Sequence, residues 1–234
     1  MHMQTNDPSS IVVRARNVTL ALGSAEAPVE ILRGIDLDIR RGESVAVLGA
    51  SGSGKSSLMA VLSGLERATN GEVMIGGADF SALDEDDLAR ARRGHVGIIL
   101  QAFHLLPTMT ALENVAVPLE LAGDKQAFDR AARELTAVGL GHRMDHYPAQ
   151  LSGGEQQRVA IARAMAPGPE ILFADEPTGN LDGKTSEAIA NLLFQRHKET
   201  QATLMLITHD RSLAARCDRI VEISDGRIVD ERQG

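Results

Sequence analysis

"SVAVLGASGSGKSS", residues 44–57, decides the fold. The short apolar run "SVAVL" leads straight into "GASGSGKSS", which packs three glycines and four serines around one lysine. Glycine loses more freedom on folding than any other residue, so such a run needs a compensating use. A surface turn is one use, and a cradle for phosphate is the other. Gly49, Ala50, Ser51, Gly52, Ser53, Gly54, Lys55 and Ser56 fit the phosphate-loop pattern G-x-x-x-x-G-K-[ST], and the run continues into Ser57. A buried strand precedes the loop, and the helical run "SSLMAVLSGL" (56–65) follows it, which is the context the pattern needs. Backbone N–H groups converge there, and the helix presents its positive end to the same point. Lys55 then reaches the β- and γ-phosphates, and the Ser56 hydroxyl is placed to ligate Mg²⁺. The glycines are read as binding nucleotide.

Working outward, "IVVRARNVTLAL" (11–22) and "VEILRGIDLDIR" (29–40) alternate apolar and polar residues, the period of half-exposed antiparallel strands. "EVMIGG" is a further strand after the turn signal Asn70-Gly71. From about 102 to 165 the pattern turns mainly helical, in "TALENVAVPLELAG", "QAFDRAARELTAVGL" and the segment after "LSGG". Strands and helices then alternate again: "EILFA", "KTSEAIANLLFQRHKE", "ATLMLIT", "RSLAARC", "RIVEIS" and "RIVDE", the last two separated by Asp225-Gly226. This order predicts an α/β core with a helical subdomain. "DEDD" (84–87) is read as opening a short helix, where carboxylates suit the positive end.

The chain has 234 residues, 43% of them hydrophobic, enough for a real core. A net charge of −8 argues against a nucleic-acid partner, which calls for a basic face. Cys217 is the only cysteine, so neither an internal disulfide nor a thiolate metal cluster is expected, and it reads as a packing residue. No apolar run approaches the ~20 residues that span a bilayer. Residues 1–10 are polar, without the core of a secretory signal, and are expected to form a flexible tail on a cytoplasmic protein.

"ILFADEP" (171–177) is an apolar strand ending in Asp175 and Glu176, where ligands bind in open α/β sheets. Asp175 is expected to hold Mg²⁺ through water, and Glu176 to orient or deprotonate the attacking water. "TLMLITHD" (203–210) brings His209 to a second strand end, in a place suited to the γ-phosphate. In "LSGGEQQRVAIARA" (151–164), Ser152-Gly153-Gly154 before a strong helix former makes another helix start suited to an anion, or an ordinary capped helix.

With these motifs in order, the chain resembles the ATP-binding subunits of ABC transporters, from about residue 11 to 232. The resemblance implies a P-loop NTPase core with an antiparallel β subdomain (11–101 and 166–232) and a helical subdomain (102–165), within one ATPase domain. It implies ATP and Mg²⁺ as cofactors and a head-to-tail, ATP-dependent homodimer. Ser152, Gly153 and Gly154 of one subunit would meet the γ-phosphate on the other's loop. Gln101 matches the glutamine that touches Mg²⁺ and relays to the membrane partner, Asp182 the D-loop acid, and His209 the switch histidine. "QAFHLLPTMTALENVAVPL" and "DEPTGNLD" resemble the lipoprotein-release and macrolide-export branch, and "DHYPAQLSGGEQQRV" looks closest to its YbbA-type members. That branch implies a separate permease, of the four-helix type with a large periplasmic domain, holding the ATPase at the inner face of the cytoplasmic membrane. Export, lipid or lipoprotein extraction, or mechanotransmission are the implied roles. An ABC ATPase that signals through a permease to a cell-envelope enzyme, or one that is wholly soluble, is the alternative.

Two departures stand out. Leu22 occupies the place where the family often stacks an aromatic ring on adenine, and Glu155 stands where many members carry Gln. "AFHLLPTM" (102–109), beside Gln101, is expected to be partly exposed as the permease contact.

Overall fold

The computed structural model describes residues 11–24 and 27–234, so the tail expected at 1–10 lies outside the described residues. The chain opens with β1 (Ile11–Ser24), β2 (Ala27–Arg40), β3 (Ser44–Leu48), α1 (Lys55–Leu62), β4 (Asn70–Ile75), β5 (Ala78–Asp79) and α2 (Glu85–Arg92). It continues with β6 (Val96–Ile99), α3 (Ala111–Leu121), α4 (Ala127–Ala137), α5 (Gly153–Met165), β7 (Ile171–Asp175) and α6 (Gly183–Thr200). It closes with β8 (Thr203–Ile207), α7 (Arg211–Ala214), β9 (Arg219–Ser224) and β10 (Arg227–Gln233). Two compact units result: the described residues up to Arg92 together with Thr203–Gly234, and Arg93–Ala202.

In the first unit an antiparallel sheet runs β2-β1-β4-β5. The alternation in the sequence sorts its faces. Ile35, Leu37 and Ile39 are at most 2% exposed, while Asp36 and Arg40 face solvent. Val13 lies opposite both Ile39 and Ile75, and Ala15 opposite both Leu37 and Val73, so three strands share one apolar face. Each buried Val, Leu or Ile side chain there contributes about 1.5–3 kcal/mol by leaving water. β3 pairs in parallel with β8 and β9, and every residue of β3 and β8 is buried, as in a strand covered on both faces. β9 and β10 form a hairpin through Asp225 and Gly226, with φ of 47° and 70°, the two left-handed residues of a type I′ turn. Asp84 caps α2 by accepting from the Asp87 amide at 2.8 Å, and the acids that follow fill its first turn. Cys217 is buried, and that burial, with Asp218 beside it, pushes its thiol up to about 12, so it serves packing.

In the second unit β6 and β7 pair in parallel, Val96 opposite Ile171 and Ile99 opposite Ala174. A side chain at Gly97 would come within 2.6 Å of the Ala164 carbonyl, so β6 lies directly on α5. Leu119, Ala131, Leu135 and Ile161, all at most 1% exposed, form the interior of α3, α4 and α5. Thr110 starts α3 with a capping box to Glu113. Arg196 of α6, almost wholly buried, pairs with Glu134 of α4 at 2.7 Å and with Glu199 at 2.8 Å. Among the described residues no helix is long and apolar enough to cross a membrane.

Asn114 ties the segment before α3 to the helix. Its side chain is fully buried and accepts from the Leu106 amide at 2.8 Å. Its Nδ2 donates to the carbonyls of Leu106, Met109 and Thr110 at 3.1, 3.0 and 2.9 Å. Asn114→Ala strands several of these groups at once. The expected loss is about 2–3 kcal/mol, read as a lower urea midpoint.

Candidate active site

The residues singled out in the sequence fall on both units: 49–57 and His209 on the first, and Gln101, 152–154, Asp175, Glu176 and Asp182 on the second.

On the first unit, the loop leaves β3 at Gly49, where there is no room for a side chain. A Cβ at Gly49 would stand 2.3 Å from the Ile223 carbonyl oxygen and 2.6 Å from Ser53 Oγ. Gly52 and Gly54 take φ of 79° and 103°, the left-handed region, and Gly54 is the residue that caps α1. No side chain caps that helix, and its first turn holds no acid, so its N–H groups and its positive end suit an anion. The buried Lys55 ammonium donates to the carbonyls of Gly49 and Ala50 at 2.9 and 2.8 Å. Three donors on an ammonium leave one more for a phosphate oxygen. Ser56 is exposed and Ser57 half-buried beside it. His209 is exposed just past β8. Next to it Asp210 caps α7, its carboxyl held below the usual range mainly by the Ser212 hydroxyl. Leu22 is 44% exposed and sits opposite Val29, 60% exposed, as an aliphatic cross-strand pair.

On the second unit, Asp175 ends β7 and Glu176 follows it with φ of 43°. A left-handed non-glycine backbone costs on the order of 1 kcal/mol or more and persists only where its surroundings hold it. Here the Gly179 amide donates to the Glu176 carbonyl at 2.9 Å. The fully buried Gln157 of α5 donates to the Pro177 carbonyl at 2.7 Å. Gln101 and Asn180 bond reciprocally: Gln101 Nε2 donates to Asn180 Oδ1 at 3.2 Å, and Asn180 Nδ2 to the Gln101 carbonyl at 3.0 Å. That orientation leaves the Gln101 side-chain oxygen for another partner. A Cβ at Gly179 would lie 2.7 Å from Gln101 Nε2, so a side chain there would make the Gln101 amide shift. Leu100, Gln101, Ala102, His104, Asp175 and Asn180 line one open cleft.

Ser152 caps α5 in a capping box. The Glu155 carboxylate accepts from both the amide and the hydroxyl of Ser152 at 2.8 Å, and is thereby held below the usual carboxylate range, with Arg143 adding to the effect. Gly154 has a packing reason as well, since a Cβ would meet Thr185 Cγ2 at 2.5 Å. Asp182 caps α6 through the Thr185 amide and hydroxyl at 3.1 and 2.8 Å, and those bonds lower its carboxyl. Residues 102–109 are half-buried to exposed, Leu106 at 41%. Arg163 of α5, its pKa lowered by burial, holds the carbonyls of Phe103 and His104 at 2.9 and 2.7 Å. Asn180, Gln157, Arg163 and Arg143 were not found from the sequence. Asn180 lay inside the quoted "DEPTGNLD", and Gln157 and Arg163 inside "LSGGEQQRVAIARA", but no local pattern in either motif marked their roles, and Arg143 lay in no quoted motif.

Residues 32–179 match the family model described as "ABC transporter". The chain is 47% identical over 226 residues to the "Uncharacterized ABC transporter ATP-binding protein YbbA" of Escherichia coli strain K12, covering 96% of this chain and 99% of that one. It is also 47% identical over 222 residues to the "Lipoprotein-releasing system ATP-binding protein LolD" of Geobacter metallireducens, covering 94% and 99%. Among solved structures, the ATP-binding cassette MJ0796, a dimer in a post-hydrolysis state bound to ADP and Pi, superposes with a TM-score of 0.86 at 39% identity, covering 94% of this chain and 98% of that chain. The chain carries the phosphate loop and is matched by these relatives along most of its length: it belongs to the ABC transporter family, as an ATP-hydrolysing ATP-binding cassette.

Proposed function

We propose that this chain powers a separate membrane permease by ATP-driven closure of a head-to-tail homodimer, serving export, lipid or lipoprotein extraction, or mechanotransmission. The loop between β3 and α1 carries the reading: left-handed glycines, a helix start with no side-chain cap and no acid in its first turn, and Lys55 held on two loop carbonyls. The dimeric ADP- and Pi-bound relative supports the dimer, and the relative named as the ATP-binding protein of a lipoprotein-releasing system supports work alongside further components.

In the reaction, ATP and water give ADP and phosphate. Lys55 and the loop N–H groups bind the β- and γ-phosphates, and positioning with charge neutralisation supplies most of the catalysis. Glu176 orients the attacking water and takes its proton, and His209 contacts the γ-phosphate. Ser152, Gly153 and Gly154 of the opposing subunit complete the anion site, with Asp182 beside them. Ser56 on the first unit offers a hydroxyl, and Gln101 and Asp175 on the second offer an amide oxygen and a carboxylate; each is a hard oxygen donor of the kind Mg²⁺ takes. Among the described residues no group of three His, Cys, Asp or Glu forms a metal cage, in keeping with a cation held largely by substrate phosphates. When bound, Mg²⁺ supplies neutralisation of phosphate charge. The partly exposed segment 102–109 is the proposed permease contact, with the ATPase at the inner membrane face.

Lys55→Ala removes charge-assisted bonds to phosphate and is expected to weaken ATP binding by about tenfold or more, measured with a fluorescent ATP analogue. An unchanged titration would remove the loop from the site. Glu176→Gln is expected to slow hydrolysis by about 10²–10⁴-fold, to elute as a dimer with ATP, and to retain a permease from membranes of the source organism. A variant that stays monomeric at saturating ATP contradicts the dimer; a dimer that retains nothing membrane-bound contradicts the permease.

A further inference from the structure

We propose that Arg143 is a positioning residue for the turn that carries Ser152: it neutralises Glu155, so that this turn accepts the phosphate bound to a second copy of the chain. This rests on the head-to-tail dimer proposed above.

Glu155 is the one acid in the first turn of α5. For the helix alone a carboxylate there is favourable, because it satisfies N–H groups and meets the positive end. For a turn that must take in a polyphosphate, the same carboxylate is a like charge at close range. The two carboxylate oxygens divide the work. Oε2 accepts from the amide and the hydroxyl of Ser152 at 2.8 Å each, which commits the hydroxyl proton to Glu155. Oε1 faces the Arg143 guanidinium, whose Nε lies 3.3 Å away. That Nε is buried and makes no hydrogen bond, so the pair acts through charge. The two side chains are 39% and 26% exposed, which leaves the interaction only partly screened by water. Arg143 is itself held: its Nη1 meets His146 Nε2 at 2.9 Å, and its amide donates to the Leu140 carbonyl at 2.9 Å. Glutamine at 155 would keep the capping acceptor without the charge. Arg143 is therefore the compensation for glutamate at that position.

The test uses the Glu176→Gln protein, with the ATP concentration that half-dimerises it read by analytical ultracentrifugation at low salt. Adding Arg143→Gln is expected to raise that concentration by about tenfold or more. Adding Glu155→Gln to that variant is expected to restore it to within about threefold, and 0.5 M NaCl to shrink the defect, as screening requires. Arg143→Lys keeps the charge and is expected to dimerise nearly normally, which separates charge from folding. A normal response in Arg143→Gln overturns the proposal, and so does a defect that Glu155→Gln leaves in place. If Glu176→Gln alone fails to dimerise with ATP, the dimer reading itself falls and takes this proposal with it.

Discussion

At Gly49 the backbone passes so close to its neighbours that a single added carbon would overlap both the Ile223 carbonyl and the Ser53 hydroxyl. That approach fixes where the chain leaves β3 and where α1 begins. β9, which carries Ile223, pairs with β3, so the sheet itself forms one wall against the loop. The same constraint recurs at Gly226, whose amide donates to the Ser53 carbonyl at 3.0 Å and whose Cβ would strike the Ile31 carbonyl. A β-hairpin turn, a strand of the antiparallel sheet and the phosphate loop are thus locked together by backbone contacts that admit no side chain. The preorganised cradle is a consequence of sheet pairing, not of loop sequence alone.

On the second unit, support for the reacting groups comes largely from α5. From its first turn Ser152 faces outward, two turns of buried surface follow, and Gln157 reaches the carbonyl after Glu176. Arg163, near its end, holds the backbone beyond Gln101. One helix therefore steadies the signature turn, the strained backbone at Glu176 and the segment proposed to meet the permease. Asn180 adds a local link, since the Gln101 carbonyl orients its amide and its amide orients the Gln101 side chain. Residues 101–104 and 176–182 are in this way physically connected within one unit.

Much of this was legible in the sequence wherever a property is local. Glycines at fixed spacing before Lys55, alternation at 35–40, and Asp225-Gly226 between two strands each specify conformation within a few residues, and the structure follows them. The family resemblance was legible too, and the comparisons bear it out. What stayed hidden depends on distance along the chain. Asn180 meets Gln101 across 79 residues, Gln157 meets Pro177 across 20, and Arg163 meets Phe103 across 60. A lone polar side chain carries no periodicity that would announce such a partner. Gly154 was readable as an anion-binding glycine but not as the contact that lets α5 lie against Thr185. Glu155 was readable as a departure from glutamine, but not as the partner of the Arg143 guanidinium.

The central claim is that a working site needs the loop of one subunit and the Ser152 turn of another. The most direct measurement mixes two inactive variants, Lys55→Ala and Ser152→Arg, and follows ATP hydrolysis as their ratio changes. Each alone should be dead. In a mixed head-to-tail dimer, the intact loop of the second variant meets the intact turn of the first, so hydrolysis should reappear and peak near equal amounts. Mixtures that stay as inactive as either variant at every ratio would contradict a site shared between two copies.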